Sequence, residues 1–547
     1  MAISKGSSTS RFNLIIHALS NLTISRALKN AARRIADSSR MNVRFLMITD
    51  SVTDAPSESG KDGEIAENNT YHPGTVDVEY DELHVQCPPH TTERKLMTRI
   101  DWRLIPFLCI MYLLAFLDRV NIANGKSFNL AEDLNLKNNE YNTALTMFFV
   151  PYIIAEIPSN IYLKRFSPRI WLPTCMLGFG IASVCQGLVQ NYSGLLATRF
   201  FLGLFESGMF PGCFYLISMW YKRNESQKRY SLFFTSTSLA GAFGGLLASA
   251  IGKMEGIRGY NGWRWIFILE GTLTCVVAII FFFIFPSFPE QAKWLTEEER
   301  AYIKARLQAD QGHNAAERKI TFRDVINTMK DHRVWLGGFM YFGLIVPAYG
   351  YAFFAPSIIS TYHYDAIQTQ LHSVPPWVAS FGFSILTAVL SDWTRHRAAF
   401  ALLPLCLGIA AFATLLTVHD NTPLQYGMLH LVTMSTYSVL PITVCWFSMN
   451  LGGHHRRAIG TAWQIGFGNI GGIIATFIFL STDAPYYTRG YSISLGFTCL
   501  SGLASTLYLI SIYLENQKRK KAVRDVGLSD YEKTELGDLN PEFRYMY

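Results

Sequence analysis

Hydrophobic residues fall into long runs that are separated by short polar segments. The twelve runs are 104–125, 141–163, 171–190, 194–220, 231–252, 264–286, 334–359, 372–391, 398–418, 423–448, 459–481 and 490–514. Each is long enough for a helix to cross the roughly 30 Å hydrocarbon core of a bilayer. Only helices and closed barrels satisfy their backbone hydrogen bonds in lipid, so we expect an all-α membrane protein with twelve transmembrane helices.

A polar, charged stretch at 287–333 divides the runs into two sets of six. Inside it, TEEERAYIKARLQA (296–309) predicts a surface helix with Thr296 as its N-cap. Two sets of six predict two six-helix bundles, and repeated bundles of this kind hold a substrate site between them in many transporters. The predicted domains are a disordered cytoplasmic tail at 1–100, bundles at 101–286 and 334–514, a cytoplasmic central loop at 287–333, and a cytoplasmic tail at 515–547.

The charge distribution favours a membrane protein over a nucleic-acid binder. Only 16% of residues are charged, against about 25% in soluble domains, although the net charge is +7. The basic residues gather in alternate short loops, which is the positive-inside pattern and places both termini and the central loop in the cytoplasm. These residues are Lys164, Arg165, Arg169, Lys222, Arg223, Lys228, Arg229, Arg395, Arg397, Arg456, Arg457 and Lys518 to Lys521. The expected partners are therefore membrane lipid and a small solute, with no nucleic acid.

The first ninety residues change character at Met41. Residues 1–40 are basic and Ser-rich with one acid, Asp37, whereas residues 41–92 are acidic. A basic, acid-poor start is compatible with a mitochondrial transit peptide, with a plain basic tail, or with a true start at Met41. The acidic segment has the composition of a disordered tail.

Enzymatic and metal chemistry find no support in the residue pattern. The nine cysteines show neither metal spacing nor a disulfide framework. The glycine-rich strings AGAFGG (240–245) and GFGNIGG (466–472) lie in apolar runs and follow no strand, so they indicate close helix packing rather than phosphate loops. We expect no enzyme activity, no metal and no cofactor. We expect a proton gradient to supply the energy for transport of the solute.

Charges inside the membrane are the strongest indication of a site. Asp118 and Arg119 are adjacent within the first run, and an ionisable residue in hydrocarbon suggests function. The alternative is that the two neutralise each other or mark the water boundary. The other charges within runs of the first half are Glu156, Arg199, Glu206 and Glu270, whereas the second half offers His430 apart from tyrosines and cysteines. Glu270 suits either packing or a pathway role, and His430 suits packing.

The fourth run carries a second acid and base. Arg199 and Glu206 are seven residues apart, on one face of a helix but too distant for a direct intrahelical pair. Asp118 and Arg119 are their natural partners. A carboxyl group that moves between an apolar site and an arginine can switch its proton, and arginine suits a substrate carboxylate. We therefore predict proton coupling at Asp118 and Glu206, and anion binding at Arg119 and Arg199.

Other polar residues are candidates for substrate contact and gating. Asn469 and Gln464 are predicted substrate contacts, with interhelical hydrogen bonding as the alternative for Asn469. Tyr349 and Tyr351 are weaker candidates in a run that Pro347 and Pro356 interrupt. A salt bridge at a gate or turn is the simplest role for Glu156. The predicted gate and cytoplasmic-turn residues are Glu156, Lys164, Arg165, Arg169, Asp392, Arg395 and Arg397.

Several motifs together resemble one family. They are FLDRVNIANGK, AEIPSNIYLKRFSPRIWLP, RFFLGLFESGMFPG, YLISMWYKRNE, AGAFGGLLA, GWRWIFILEG and NLGGHHRRAIGTAWQIGFGNIGGIIATFIF. The set resembles the fungal allantoate permease family, in the anion:cation symporter branch of the major facilitator superfamily, over about residues 90–547. The resemblance implies the major facilitator fold and the same roles for Asp118, Glu206, Arg119, Arg199 and Asn469. The chain departs from the family at Lys164, where the superfamily usually has Asp, and at Met449-Asn450, where relatives often have paired Asn.

The resemblance implies uptake of a small organic anion with protons. Carboxylate vitamins, allantoate- or nicotinate-like nitrogen compounds and tartrate-like acids are the candidate substrates. The alternative is a major facilitator exporter of secondary metabolites or drugs, and a receptor without flux is a third. Exporters often carry a Gly-Pro-x-x-Gly-Gly element in the fifth span, and residues 240–245 lack its Pro, which favours import. We expect a monomer in the plasma membrane.

Overall fold

The computed structural model describes residues 87–137, 139–311, 321–452, 454–522, 540 and 543–547. All of them belong to one compact unit, Tyr80–Tyr547. Residues 1–86, which include the predicted transit or tail segment and Met41, lie outside the described residues.

The described part of the chain is helical. Its helices are α1 Glu93–Ser127, α2 Glu140–Phe166, α3 Pro168–Gly187, α4 Tyr192–Glu206, α5 Met209–Trp220, α6 Arg223–Ile251, α7 Gly262–Ile284, α8 Glu297–Gln311, α9 Phe322–Met329, α10 His332–Ser360, α11 Ala366–Thr394, α12 Arg397–Thr417, α13 Thr422–Met449, α14 His454–Ala475 and α15 Thr488–Ala522. A one-turn helix, Leu130–Asp133, and short 3-10 turns connect them.

Each predicted apolar run coincides with a helix or, for 194–220, with the bent pair α4 and α5. Eleven described segments are long and apolar enough to cross a membrane, counting α4 and α5 as one. The remaining predicted span, 459–481, falls on α14, which has the right length but begins with His454-His455-Arg456-Arg457 and carries Gln464 and Asn469. These polar residues lower its mean hydropathy.

The helices pack as two groups that meet along a seam. In the first half, α7 packs on α3, α1 on α6, and α2 on α4. The second half repeats the scheme, with α15 on α12, α10 on α14, and α11 on α13. Across the seam, α6 packs on α11, α2 on α14 and α1 on α10.

Glycines allow the closest approach across this seam. A Cβ atom on Gly241 of α6 would lie 2.3 Å from the Trp377 ring of α11, and one on Gly245 would lie 2.5 Å from the Ser373 hydroxyl. On α14, a Cβ atom on Gly472 would lie 2.2 Å from the Phe149 ring of α2. The glycine-rich strings are therefore packing surfaces, as their apolar context predicts.

Helix α8 of the central loop is tied to the first half. Its N-terminus is a capping box at the predicted N-cap, Thr296. The backbone N–H of Thr296 donates to the Glu299 carboxylate at 3.1 Å, and the backbone N–H of Glu299 donates to the Thr296 hydroxyl at 3.2 Å. Glu299 also binds Arg99 of α1 at 2.9 Å, so this helix is docked rather than free on the surface. Arg306 forms ion pairs with Glu93 and with Glu225 at the start of α6.

The last residues of the chain dock on the second half. The Asn516 side chain of α15 accepts from the backbone N–H of Tyr545 and donates to its carbonyl, both at 2.9 Å. Asn450 makes the same two-point contact with Met546 at 2.7 and 3.0 Å. The backbone N–H of Arg397 donates to the Tyr547 carbonyl at 2.7 Å. The closing segment 543–547 thus ties α12, α13 and α15 together.

Candidate functional site

The centre of the seam holds a buried ion pair. Arg119 of α1 and Glu206 at the end of α4 are joined by a hydrogen bond of 2.9 Å from Nε to Oε1, and by a second contact from Nη2 to the same oxygen. Arg119 Nη1 contacts the hydroxyl of Tyr349 from α10. The predicted partnership of these two charges is confirmed, and a residue of the second half completes it.

Aromatic rings surround the Arg119 guanidinium. Its central carbon lies 4.9 Å from the ring centroid of Phe148, 5.2 Å from that of Tyr152 and 5.6 Å from that of Tyr349. Rings at this distance attract a cation through their negative faces and exclude water from it. The cation is thereby held in place within a dry environment.

Arg199 lies on the same face of α4, two turns before Glu206. Its Nη1 donates to the backbone carbonyl of Arg119 at 3.1 Å, whereas Nε and Nη2 are buried without a hydrogen-bond partner. The second oxygen of Glu206, Oε2, is equally without a partner. Gly203 lies between them, and a Cβ atom there would lie 2.1 Å from the Phe148 carbonyl of α2, so helix packing takes up that space.

Asp118 faces away from Arg119, because adjacent helical residues point about 100° apart. Its Oδ1 accepts a hydrogen bond from Ser183 of α3 at 2.8 Å, and its Oδ2 accepts one from Thr274 of α7 at 2.9 Å. The two adjacent charges therefore do not neutralise each other. Ser183 and Thr274 carry no sequence signal that marks them as partners, since hydroxyl residues are common in membrane helices.

Two further candidates meet across the seam. Asn469 of α14 donates to Oε2 of Glu156 on α2 at 3.4 Å. The described partner of Glu156 is thus an amide of the other half, instead of the basic turn that follows it in the sequence. Gln464 donates to the Gly337 carbonyl within the second half at 3.0 Å, and its Oε1 has no partner.

The predicted cytoplasmic-turn residues lie at helix ends, away from the central pair. Asp392 and Arg397 form an ion pair at 2.5 Å, and Arg395 is the exposed left-handed C-cap of α11. Arg165 is exposed, and Arg169 donates to the Phe283 carbonyl at 3.0 Å. The side chain of Lys164 lies outside the described residues.

Two of the hydrogen bonds between the halves lie toward the predicted outer ends of α2 and α14. Asn142 donates to the Thr476 carbonyl at 2.5 Å, and the hydroxyls of Thr146 and Thr476 are 2.7 Å apart. Ser238 and Ser380 are 3.2 Å apart between α6 and α11. These contacts join the halves at one end of α2 and α14 and at the middle of α6 and α11.

The cysteines and His430 are the remaining residues that the sequence analysis considered. The nine cysteines are free, and His430 contacts the Tyr426 carbonyl through Nδ1 at 2.9 Å. No group of three His, Cys, Asp or Glu residues with metal-binding geometry occurs among the described residues.

Comparison with known proteins gives a consistent set of transporters. Residues 108–476 match the model of the Major Facilitator Superfamily. The chain is 32% identical over 470 residues to the MFS transporter prlL of Fungal sp. (strain NRRL 50135), covering 83% of this chain and 94% of that one. It is 28% identical over 471 residues to the high-affinity nicotinic acid transporter of Saccharomyces cerevisiae, covering 85% and 87% of the two chains.

A solved structure has the same fold. The proton:xylose symporter XylE, bound to 6-bromo-6-deoxy-D-glucose, superimposes with a TM-score of 0.62 at 14% identity, covering 75% of this chain and 95% of that one. The predicted all-α fold of two six-helix bundles is confirmed. Because the relatives and this structure are transporters, the expectation that the chain is not an enzyme is confirmed as well.

Proposed function

This chain belongs to the major facilitator superfamily of membrane transporters, and we propose that it takes up a small organic anion together with protons. The observation that carries the proposal is the buried contact between Arg119 and Glu206, beside an Arg199 side chain with two unpartnered nitrogens.

The physical argument is an exchange of anions on Arg119. Removing one partner of a buried ion pair leaves an uncompensated charge, which costs about 3–5 kcal/mol. A substrate carboxylate can replace Glu206 on the arginine fork, because it can present two oxygens to the fork, whereas Glu206 uses only Oε1. Glu206 then lacks its cation in an apolar site and binds a proton. Anion binding and proton binding are thereby coupled.

Arg199 provides a second point of attachment for the same anion. Its free Nε and Nη2 lie on the α4 face that carries Glu206. Asp118 is the second proton site in this proposal, with Ser183 and Thr274 holding its carboxylate. Asn469 and Gln464 are proposed contacts for the neutral part of the substrate.

The substrate class rests on resemblance. The motifs are similar to those of the allantoate permease branch, and one relative is a high-affinity nicotinic acid transporter. We propose a carboxylate vitamin, an allantoate- or nicotinate-like compound, or a tartrate-like acid. The fold neighbour XylE is a proton:xylose symporter, so proton coupling is compatible with this fold.

The remaining parts of the proposal concern gating and location. The hydrogen bond between Glu156 and Asn469 joins the halves, so we propose that it breaks when they separate. The turn pair of Asp392 and Arg397 steadies the inner end of the second bundle. The domain boundaries given above, a plasma-membrane location, cytoplasmic termini and a monomeric state are part of the same proposal.

Uptake of labelled carboxylic acids by cells that express the chain tests the function. We expect one of the candidate acids to accumulate faster at acidic than at neutral external pH, and a protonophore to abolish the difference. Arg199→Lys should lower this uptake, whereas Arg258→Lys, at an exposed loop position, should not. Efflux of a preloaded compound without any acid-stimulated uptake would favour the exporter and contradict import.

A further inference from the structure

Glu270 of α7 is a third deeply buried acid in the first half, and the exchange described above does not use it. Its side chain is 2% exposed. The amide of Asn121 donates to its Oε2, whereas Oε1 is buried without a hydrogen-bond partner. Among the described residues, its hydrogen-bond partner is this amide and no cation forms an ion pair with it.

The groups around Glu270 are known from each helix that packs there. Helix α1 contributes Asp118, whose charge acts on Glu270, and the neutral amides of Asn121 and Asn124. Helix α6 contributes Gly244, which faces the two amides, and helix α3 contributes the hydroxyl of Ser183 on Asp118. Gly244 and Ser183, the groups that α6 and α3 contribute here, are both uncharged.

Asp118 and Glu270 belong to one polar ladder between α1 and α7. Asp118 binds Thr274, and three residues later Asn121 binds Glu270, which precedes Thr274 by one turn. Side chains three or four residues apart share one face of a helix, so the two carboxyl groups are neighbours in the same interface.

The charges of the first half do not balance without a proton. Two arginines, Arg119 and Arg199, share this interior with three fully buried carboxyl groups, whereas Glu156, a fourth buried acid, lies against Asn469 of the other half. Glu206 is paired with Arg119, and Asp118 accepts two hydroxyl hydrogen bonds within electrostatic reach of Arg199. Of the three acids around α1, Glu270 is the one that remains, and an unpaired buried carboxylate becomes neutral by binding a proton.

We propose that Glu270 carries a transported proton, at a site on the α1–α7 interface that is separate from the anion site. The inference rests on the proposed proton-coupled uptake. The carboxylate takes a proton from water on one side of the membrane and becomes a carboxylic acid. It returns to the carboxylate when that proton is released on the other side, and no further reactant is needed.

Arg199 couples the anion site electrostatically to the Asp118–Glu270 pair. A substrate anion that engages Arg199 weakens the attraction of that cation for Asp118. The Asp118–Glu270 pair then carries more uncompensated negative charge, so its proton is held more firmly until the anion leaves. Glu270 is in this account a proton-carrying residue that does not touch the substrate.

Glu270→Gln separates this role from packing. Glutamine keeps an oxygen that accepts the Asn121 hydrogen bond, but it cannot bind a proton in this pH range. We expect exchange of labelled for unlabelled anion across the membrane to persist, and acid-stimulated uptake to fall by about tenfold or more. Glu270→Asp should restore part of the pH dependence, and Glu290→Gln, at an exposed position, should behave as the unaltered chain.

The possible outcomes distinguish the inference from the function on which it rests. Uptake by the unaltered chain that acid does not stimulate overturns proton coupling altogether. Acid-stimulated uptake with the same pH profile in Glu270→Gln overturns only the role of Glu270. Loss of exchange together with uptake at every pH assigns Glu270 to packing and also overturns the inference.

Discussion

Each buried charge of the first half is defined by the groups that its side chain contacts. Arg119 faces Glu206, Tyr349 and aromatic rings, whereas its neighbour Asp118 faces two hydroxyls on another face of the same helix. Two adjacent residues therefore serve two different environments. One environment suits an anion that exchanges, and the other suits a carboxyl group held in place.

The sequence predicts which residues are buried charges but not where each one points. The seven-residue spacing in the fourth run places Arg199 and Glu206 on one face and indicates a partner elsewhere. Tyr349 is only a weak candidate in the sequence, because tyrosines are frequent in this chain. The roles of Ser183, Thr274 and Asn121 depend on helix rotation and on which helices are neighbours, and local sequence encodes neither.

Arg119→Lys tests the fork geometry at the central pair. Lysine keeps the positive charge but cannot present two parallel donors to a carboxylate. We expect the apparent affinity for the transported anion to fall about tenfold or more, measured as the concentration dependence of initial uptake. The matched control is Arg258→Lys in an exposed loop. Unchanged affinity in Arg119→Lys would remove the arginine from substrate binding.

At the scale of helices, hydropathy predicts the number and order of the elements well. It underestimates their length, because α1 begins at Glu93 and α15 continues to Ala522, beyond the apolar runs. It also fails to show the interruption between α4 and α5 at Ser207-Gly208. Apolarity ends at the water boundary, whereas backbone hydrogen bonding continues past it.

Close packing of α6 on α11 depends on Gly241. A Cβ atom there would lie 2.3 Å from the Trp377 ring, so Gly241→Ala forces the two helices apart. We expect lower thermal stability in detergent and reduced uptake, with overpacking of this kind costing about 1–3 kcal/mol. Gly382→Ala on α11 is the control, since its Cβ would meet open space. Equal stability of the two variants would show that the seam does not need the glycine.

The start of α10 depends on the charge of Asp331. Its carboxylate caps the backbone N–H of Arg333 at 3.0 Å and forms ion pairs with Arg333 and Arg456. Burial raises the pKa of Asp331, but Arg333, its hydrogen bonds and Arg456 outweigh burial and hold the pKa below its usual range. A lowered pKa in the folded state means that its stabilisation is complete above the ordinary value of about 4 and disappears as the pH falls through the folded value.

Asp331→Asn isolates that charge, because asparagine is an equally good N-cap. We expect the variant to be less stable near neutral pH by about 1–2 kcal/mol. The difference in thermal unfolding temperature should shrink as the pH falls below about 4. A difference that grows toward acidic pH would have the wrong sign and would exclude this role for Asp331.

At the scale of the whole molecule, two halves of similar construction meet along a seam, where the Arg119–Glu206 pair contacts Tyr349 of the second half. The resemblance of the motifs predicts this layout, and hydropathy alone predicts its six-loop-six division. The docking of residues 543–547 could not be predicted, because the segment reaches residues as distant as Asn450. Such long-range contacts have no signature in local sequence.

Asn516→Ala tests the importance of the closing segment. The substitution removes both hydrogen bonds to Tyr545 but raises helix propensity by a few tenths of a kcal/mol. We expect a net loss of about 1–2 kcal/mol in stability, visible as earlier thermal unfolding in detergent. Lys518→Ala, exposed on the same helix, should not reproduce it. Stability equal to that of Lys518→Ala would show that the docked segment contributes nothing.

The coupling of proton and anion at Arg119 and Glu206 is tested most directly in sealed vesicles that contain the purified chain and an internal pH indicator. Addition of a transported carboxylate outside should acidify the vesicle interior. With Glu206→Gln, labelled anion should still exchange across the membrane while the acidification disappears, because glutamine cannot take up the proton that the displaced carboxylate would bind. Acidification in Glu206→Gln that equals that of the unaltered chain would contradict the account.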